Sequence, residues 1–119
     1  NLIGACQAVG VAVMNIRIFA GGTLADPEPH GREWPITRNS EIATEQRRAE
    51  KLFAAMAPGQ GSRAQAAVRF GLAHPGVSGV VLGLAELSHL EEALKAADMG
   101  PLSDDVIAGL EPVWDSDFA

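Results

Sequence analysis

The stretch SRAQAAVRFGLAHPGVSGVVLGLAELSHLEEAL, residues 62–94, decides the fold because it holds a helix, a strand and another helix in succession. Ser62 followed by Gln65 has the spacing of a capping box, which predicts a helix over residues 62–73. His74-Pro75-Gly76 then ends this helix, since the residue before a proline disfavours helical backbone.

The second half of the stretch predicts a change of element type. Residues 77–82 form a short, almost continuous apolar run, which is typical of a buried parallel strand. Gly83 then turns the chain, and leucines recur at helical spacing, so a helix is predicted over residues 86–97.

The same reasoning extends outward in both directions. It predicts a helix end at residues 2–8, a strand at 10–19, a loop at 20–40, a helix at 41–57 and a last helix at 103–114. The order strand, helix, helix, strand, helix, helix indicates an α/β protein with parallel strands. Two strands do not complete a sheet, so we expect further strands from elsewhere or pairing with a second copy, and therefore an oligomer.

Composition excludes several classes of function. The net charge of −6 over 119 residues argues against a nucleic-acid partner. No apolar run approaches the length of a membrane span. The single cysteine, Cys6, fits a reducing, cytoplasmic location. We expect no metal site, because His30, His74 and His89 are scattered and have no cysteine partners nearby.

Two segments carry a resemblance to a known family. Residues 2–24, LIGACQAVGVAVMNIRIFAGGTL, resemble the helix and seventh strand of aldo-keto reductases, and residues 62–94 resemble the helix, eighth strand and helix that follow. Residues 101–114 resemble the closing helix of the family, and the branch most similar is the aldose or pyridoxal dehydrogenases. The resemblance implies a partial (β/α)8 TIM barrel from the C-terminal part of such an enzyme. A chain that opens at Asn1 inside a helical run with no cap agrees with that expectation.

In this family the C-terminal strands hold a nicotinamide dinucleotide, so the resemblance implies NADP or NAD as cofactor once the rest of the barrel is present. The residues it assigns to the cofactor are Ile16, Arg17, Phe19, Gly21 and Gly22 after the seventh strand, and Gly83, Leu84, Ala85, His89 and Glu92 after the eighth. Physical chemistry supports the first group independently. The glycines let the backbone approach a ligand closely, and Arg17 offers a guanidinium fork to phosphate.

The second group departs from the NADP-binding pattern. The family often has Lys, Arg or Ser at the positions that Gly83, Ala85 and His89 occupy here. Glu86, Glu91 and Glu92 supply negative charge instead, which would repel a 2′-phosphate. NAD is therefore at least as compatible with the sequence as NADP.

The residues that perform catalysis in the family do not occur here. The resemblance implies a tyrosine acid/base, tuned by a lysine and flanked by an aspartate and a histidine, all from the first half of the barrel. This chain has no tyrosine, and Lys51 and Lys95 lie on predicted exposed helix faces. We therefore assign no catalytic residue and expect no carbonyl reduction by this chain alone.

Three hypotheses remain open at the level of sequence. The chain is the cofactor-binding section of an NAD(P)-dependent oxidoreductase that acts on a small carbonyl or aldose, with the remaining barrel strands as its partner. Alternatively it is a naturally truncated, non-enzymatic partial barrel that self-associates, or a nucleotide-binding module. Trp34 and Trp114 could line a substrate pocket or simply cover apolar surface.

Overall fold

The computed structural model describes residues 1–28, 30–35 and 38–119. Five helices and a two-stranded parallel sheet follow one another as α1 (Leu2–Ala8), β1 (Met14–Asn15), α2 (Ile42–Ala55), α3 (Arg63–Gly71), β2 (Gly79–Val80), α4 (Leu87–Met99) and α5 (Asp104–Asp115), with one 3-10 turn at Ala20–Gly22. The part of the chain that the structure describes is thus rich in helix, with a small parallel sheet, and it agrees with a partial α/β fold.

Helix α3 begins where its local sequence signal lies. The Ser62 hydroxyl accepts the Gln65 backbone N–H at 3.1 Å, and the Gln65 side chain accepts the Ser62 N–H at 3.0 Å. Two backbone donors at the start of the helix are thereby satisfied without water, which typically stabilises a helix by about 1 kcal/mol. The predicted helices over 2–8, 41–57, 62–73, 86–97 and 103–114 differ from the observed bounds by at most two residues at either end.

The first residue of the chain corrects one expectation. Asn1 is the N-cap of α1, and its Oδ1 accepts the Ile3 N–H at 3.0 Å. The expectation that the chain opens inside a helix without a cap is therefore wrong. Asn is among the best capping residues because its short side chain reaches back to the first free amides of the helix.

The core lies between the helices. Helix α3 packs on α4, and α2 packs on α5. Its buried apolar members are Ala49, Ala64, Ala66, Ala67, Val68, Ala96, Leu102 and Leu110. Most are small, so the helices approach closely, and among the described residues the large side chains of Leu102 and of Leu110 in α5 are 3% and 1% exposed.

The sheet is one short pair. Met14 lies opposite Gly79 and Asn15 opposite Val80. The ladder is extended by hydrogen bonds from the Ser78 N–H to the Val13 carbonyl and from the Val81 N–H to the Asn15 carbonyl, both 2.8 Å. Helix α3 covers one face of it closely, because the Asn15 side-chain amide donates to the Gly71 carbonyl at 3.2 Å.

The strands predicted over residues 10–19 and 77–82 are much longer than the observed ladder. Each strand has a single neighbour among the described residues, and Arg17, with φ of 57°, ends the extended backbone of the first. The first strand is also not covered on both faces, as strands of a parallel sheet usually are, since Met14 and Ile16 are 57% and 60% exposed. In the described ranges no helix is both long and apolar enough to cross a membrane.

Candidate cofactor cavity

A cavity of about 730 Å³ lies at the end of the sheet toward which both strands run. Three chain segments form most of its walls, and Ala25, Asp26 and Ala64 of α3 also line it. The first segment is the turn after β1, residues 17–22, and the second is a hook formed by residues 30–34. The third runs from the end of β2 into α4, residues 81–93. Ligand pockets for small molecules and cofactors typically measure about 300–1,000 Å³, so the cavity is large enough for such a group.

The turn at residues 17–22 concentrates unusual backbone conformations. Arg17, Ala20, Gly21 and Gly22 all have positive φ, and only the two glycines adopt this region without steric cost. Thr23, which is buried, holds the turn through a hydrogen bond from its hydroxyl to the Ala20 carbonyl at 3.1 Å. Residues held in sparsely populated conformations cluster at functional sites, because the surrounding structure must maintain them against strain.

The 30–34 hook is bound to this turn. The Trp34 N–H donates to the Gly21 carbonyl at 2.8 Å. A Cβ at position 22 would lie 3.4 Å from Nε2 of His30, which is an ordinary contact distance. The φ of 108° is therefore what favours glycine at this position.

A carboxylate organises the interior of the hook. Glu33, whose side chain is 7% exposed, accepts the His30 N–H at 2.7 Å, and this hydrogen bond holds the pKa of the Glu33 carboxyl below its ordinary value. Nδ1 of His30 accepts the Arg32 N–H at 3.1 Å. Side chains of the hook thus accept hydrogen bonds from the backbone of the hook itself.

The third wall combines the end of β2 with the first turns of α4. Gly83 and Ala85 line the cavity between the two elements. Helix α4 is held against α3 by a hydrogen bond from the Gln65 side chain to the Glu92 carbonyl at 3.3 Å. The same glutamine that caps α3 therefore also positions the wall that carries Glu92.

Charge is distributed unevenly around the cavity. Arg17, Arg32 and His30 lie on the turn and hook, whereas Glu86 and Glu92 lie on the α4 wall. Asp26 is the one carboxylate on the side of the turn and hook that lines the cavity. Within the described ranges, neither arginine forms an ion pair. The turn and hook thus offer two guanidinium groups to an anionic ligand, whereas the carboxylates of the α4 wall repel an anion.

The structure brings together eight of the ten residues that the resemblance assigned to a cofactor. Those that line the cavity are Arg17, Phe19, Gly21, Gly22, Gly83, Ala85, His89 and Glu92. Ile16 and Leu84 are exposed and lie outside its lining. The lining also contains Ala25, Asp26, His30, Arg32 and Trp34, of which the sequence had singled out Trp34 alone, as a residue that could line a substrate pocket. A tryptophan, a histidine and an arginine between prolines are the signal that could have found them, since long loops are commonly functional.

The remaining candidates lie elsewhere. Trp114 packs against Phe70, with ring centroids 6.2 Å apart, and is not part of the cavity lining. Lys51 donates to the Phe118 carbonyl at 2.7 Å and Lys95 is exposed. Among the residues that the structure describes, no three His, Cys, Asp or Glu side chains are grouped so that they could hold a metal ion.

Comparison with known proteins gives one family. The family model described as "Aldo/keto reductase family" matches residues 1–115, nearly the whole chain. No curated protein matches the chain at a significant level.

Proposed function

The chain belongs to the aldo/keto reductase family, and from this premise we propose that it is the C-terminal, cofactor-binding section of an NAD(P)-dependent barrel oxidoreductase. The proposal is supported by one observation above all: eight of the ten residues that the family resemblance assigns to a cofactor line the same cavity. These residues come from two segments far apart in sequence, 17–22 and 83–92. A shared cavity at the ends of parallel strands is where α/β folds of this kind bind their ligands.

The cavity residues suit the parts of a dinucleotide. Arg17 and Arg32 offer guanidinium groups to the diphosphate, and guanidinium binds phosphate oxygens in pairs. Gly21 and Gly22 allow the backbone to approach it closely. When bound, the nicotinamide supplies or accepts a hydride. The role of this chain would be to hold and orient the dinucleotide, and the proton donor for a carbonyl substrate would come from other strands.

The carboxylates of the α4 wall support NAD over NADP. Glu86 and Glu92 both line the cavity, and both arginines that line it lie on the turn and hook, whereas His89 lies on the same wall as the glutamates. A dianionic 2′-phosphate beside either glutamate would be repelled, whereas a ribose hydroxyl could donate a hydrogen bond to it. Replacing Glu92 by Gln should therefore improve NADP binding more than NAD binding.

We also propose that further strands complete the sheet, either the rest of a barrel or a second copy of the chain. The exposed Met14, Ile16 and Val81 support this, because contiguous apolar surface on a sheet is normally covered. On its own, the chain should sediment as a dimer or larger species. A monomeric mass combined with native-like near-UV circular dichroism would contradict this part of the proposal. The lone Cys6 supports a reducing, cytoplasmic location as part of the same proposal.

Calorimetric titration of NAD⁺ and NADP⁺ into the 119-residue chain tests the proposed function. We expect saturable binding, weakened about tenfold by Arg17→Gln, since a charge-assisted contact to phosphate is lost. Arg47→Gln is the matched control, because Arg47 is exposed on α2, away from the cavity. Absence of binding heat at millimolar concentrations of both cofactors, confirmed by a fluorescence titration, would contradict dinucleotide binding by this chain without the remaining strands.

A further inference from the structure

His30 closes the 30–34 hook with a ring nitrogen that has to be unprotonated. Nδ1 of His30 accepts the backbone N–H of Arg32 at 3.1 Å. A ring nitrogen accepts a hydrogen bond only when it carries no proton, so the neutral imidazole carries its proton on Nε2. The geometry is that of an Asx turn, in which a side-chain acceptor binds the backbone N–H two residues further along, with histidine in place of asparagine or aspartate.

A carboxylate lies beside the same nitrogen. Oε1 of Glu33 is 3.4 Å from Nδ1 of His30, and the Glu33 side chain is 7% exposed. While the imidazole is neutral, these two atoms are both acceptors and face each other unfavourably. Once Nδ1 gains a proton it becomes a donor, and Glu33 is then a charged acceptor beside it. A single proton therefore reverses the interaction between the two side chains.

Glu33 stays ionised over the pH range in which a histidine ordinarily changes its charge. The hydrogen bond from the His30 N–H, 2.7 Å long, holds the pKa of the Glu33 carboxyl below its ordinary value. The other charged or titratable side chains that share the cavity with the imidazole are Arg17, Asp26, Arg32, Glu86, His89 and Glu92. Among the described residues, Glu33 alone brings a carboxylate within ion-pair distance of His30. It is therefore the acceptor that a protonated His30 reaches.

A second histidine provides the comparison within the same chain. Nδ1 of His74 accepts the Gly76 N–H at 3.0 Å, so it closes a turn with the same two-residue spacing. In the part of the chain that the structure describes, no carboxylate lies within ion-pair distance of His74. A proton on Nδ1 of His74 would thus break a hydrogen bond with nothing to replace it, whereas the turn at His30 holds a second partner for the protonated ring.

We propose that His30 and Glu33 form a pH-operated switch in the hook. A proton from solvent binds Nδ1 of His30, the hydrogen bond from the Arg32 N–H is lost, and the new Nδ1–H donates to the Glu33 carboxylate. The Arg32 backbone is released, and the imidazolium adds a positive charge to the side of the cavity that carries both arginines. The shape and charge of this wall thus respond to pH between about 5 and 8, where histidine ordinarily titrates. The switch is independent of the proposed function, because it operates in the hook without a ligand.

Nuclear magnetic resonance of the ¹⁵N-labelled whole chain tests the switch without any cofactor. At about pH 8 we expect the His30 proton on Nε2 and a ¹⁵N–¹⁵N coupling through the hydrogen bond between the Arg32 amide and Nδ1. At about pH 5 the coupling should be lost. The protection of the Arg32 amide from hydrogen exchange, corrected for the intrinsic effect of pH, should fall about fivefold, as expected for the loss of one hydrogen bond. A proton on Nδ1 on the alkaline side, or a coupling that persists on the acid side, would overturn the switch.

Two variants assign the response to the two side chains. In His30→Asn the amide oxygen replaces Nδ1 as the acceptor and cannot be protonated, so the protection of the Arg32 amide should be the same at both pH values. In Glu33→Gln the protonated ring has no charged partner, so the hook should loosen on the acid side. The Trp34 amide, which donates to the Gly21 carbonyl, should then lose protection that it keeps in the unmodified chain. Equal protection of Trp34 in both chains would overturn the role of Glu33 and with it the switch.

The other two histidines supply the controls. His89 lines the same cavity, so an Arg32 response that disappears in His89→Asn would belong to that histidine and overturn the inference. The Gly76 amide reports the turn at His74, and its response to pH should be the same in Glu33→Gln as in the unmodified chain. An effect of Glu33→Gln on Gly76 as large as its effect on Trp34 would overturn a switch confined to the hook.

Discussion

The helical side of the molecule and its sheet side differ in how well their apolar side chains are buried and their backbone hydrogen bonds are satisfied. Helices α2 to α5 bury Val68, Ala96 and Leu110 between them, while Met14 of β1 and Ile16, which follows that strand, are more than half exposed. The difference follows from the hydrogen bonds of the two elements. A helix satisfies its backbone internally, whereas a parallel strand needs a neighbour on each side. The cavity lies on the less complete side, so ligand binding and completion of the sheet are expected to be linked.

The largest effect expected from this comparison is at Leu110. Its side chain is 1% exposed in α5, so Leu110→Ala should lower the free energy of unfolding by about 2–5 kcal/mol through lost burial and a residual cavity. The matched control is Leu87→Ala in α4, where the leucine is 71% exposed and the change should stay within about 0.5 kcal/mol. Urea unfolding followed by circular dichroism measures both. Equal losses in the two variants would show that Leu87 is covered in solution, for example by a second copy or by further strands.

A smaller effect is expected where the two sides meet. A Cβ at Gly71 of α3 would lie 2.7 Å from Cδ1 of Ile18 and 3.2 Å from Cγ1 of Val80. Gly71→Ala should therefore force the sheet away from α3 and destabilise the fold by about 1–3 kcal/mol.

The control for this substitution is a second helical glycine. A Cβ at Gly109 of α5 meets no atom within 4 Å, so Gly109→Ala should stabilise the helix by up to about 1 kcal/mol. Thermal unfolding should thus move in opposite directions for the two variants. A Gly71→Ala variant as stable as the unmodified chain would mean that α3 and the sheet pack loosely.

The smallest effect concerns an ion pair on the helical side. The Arg63 guanidinium donates to both carboxylate oxygens of Glu50, at 2.9 and 3.0 Å, and holds the pKa of Glu50 below its ordinary value of 4.5. A carboxyl whose pKa is lowered by folding stabilises the fold above its unfolded pKa, and this contribution is lost as the pH falls through the folded pKa.

Glu50→Gln should therefore cost a little stability at pH 7 and nothing at a pH well below the folded pKa, where the unmodified carboxyl is protonated too. Urea unfolding at neutral and acid pH measures the difference, with Glu111→Gln as an exposed control outside any ion pair of the described residues. A loss that is equal at both pH values would assign the effect of Glu50→Gln to something other than charge.

The helical side of the molecule could be predicted from the sequence more accurately than the sheet side. The capping residues Ser62 and Gln65 act over three positions, so the start of α3 was visible in the local pattern. The predicted strand lengths were wrong because the length of a hydrogen-bonded ladder depends on the neighbouring strands. Apolar residues such as Val81 and Ile16 favour a strand in the local sequence whether or not such a neighbour is present. The family resemblance, rather than periodicity, identified Gly21 and Gly83 as members of one site.

The hook escaped prediction for a related reason. Its attachment joins the Trp34 N–H to the Gly21 carbonyl, and no periodic pattern encodes a contact between two irregular segments. Arg32 and Trp34 therefore looked like isolated residues in a loop between prolines. Only the folded chain places them beside Arg17, on the same cavity.

Amide chemical shifts of the ¹⁵N-labelled chain during titration with NAD⁺ test most directly whether the cavity binds a nicotinamide dinucleotide. We expect the largest changes at Gly21, Gly22, Gly83 and Ala85, which line the cavity, and small ones throughout α5. Changes centred on α5, or no change at millimolar NAD⁺ and NADP⁺, would contradict such binding.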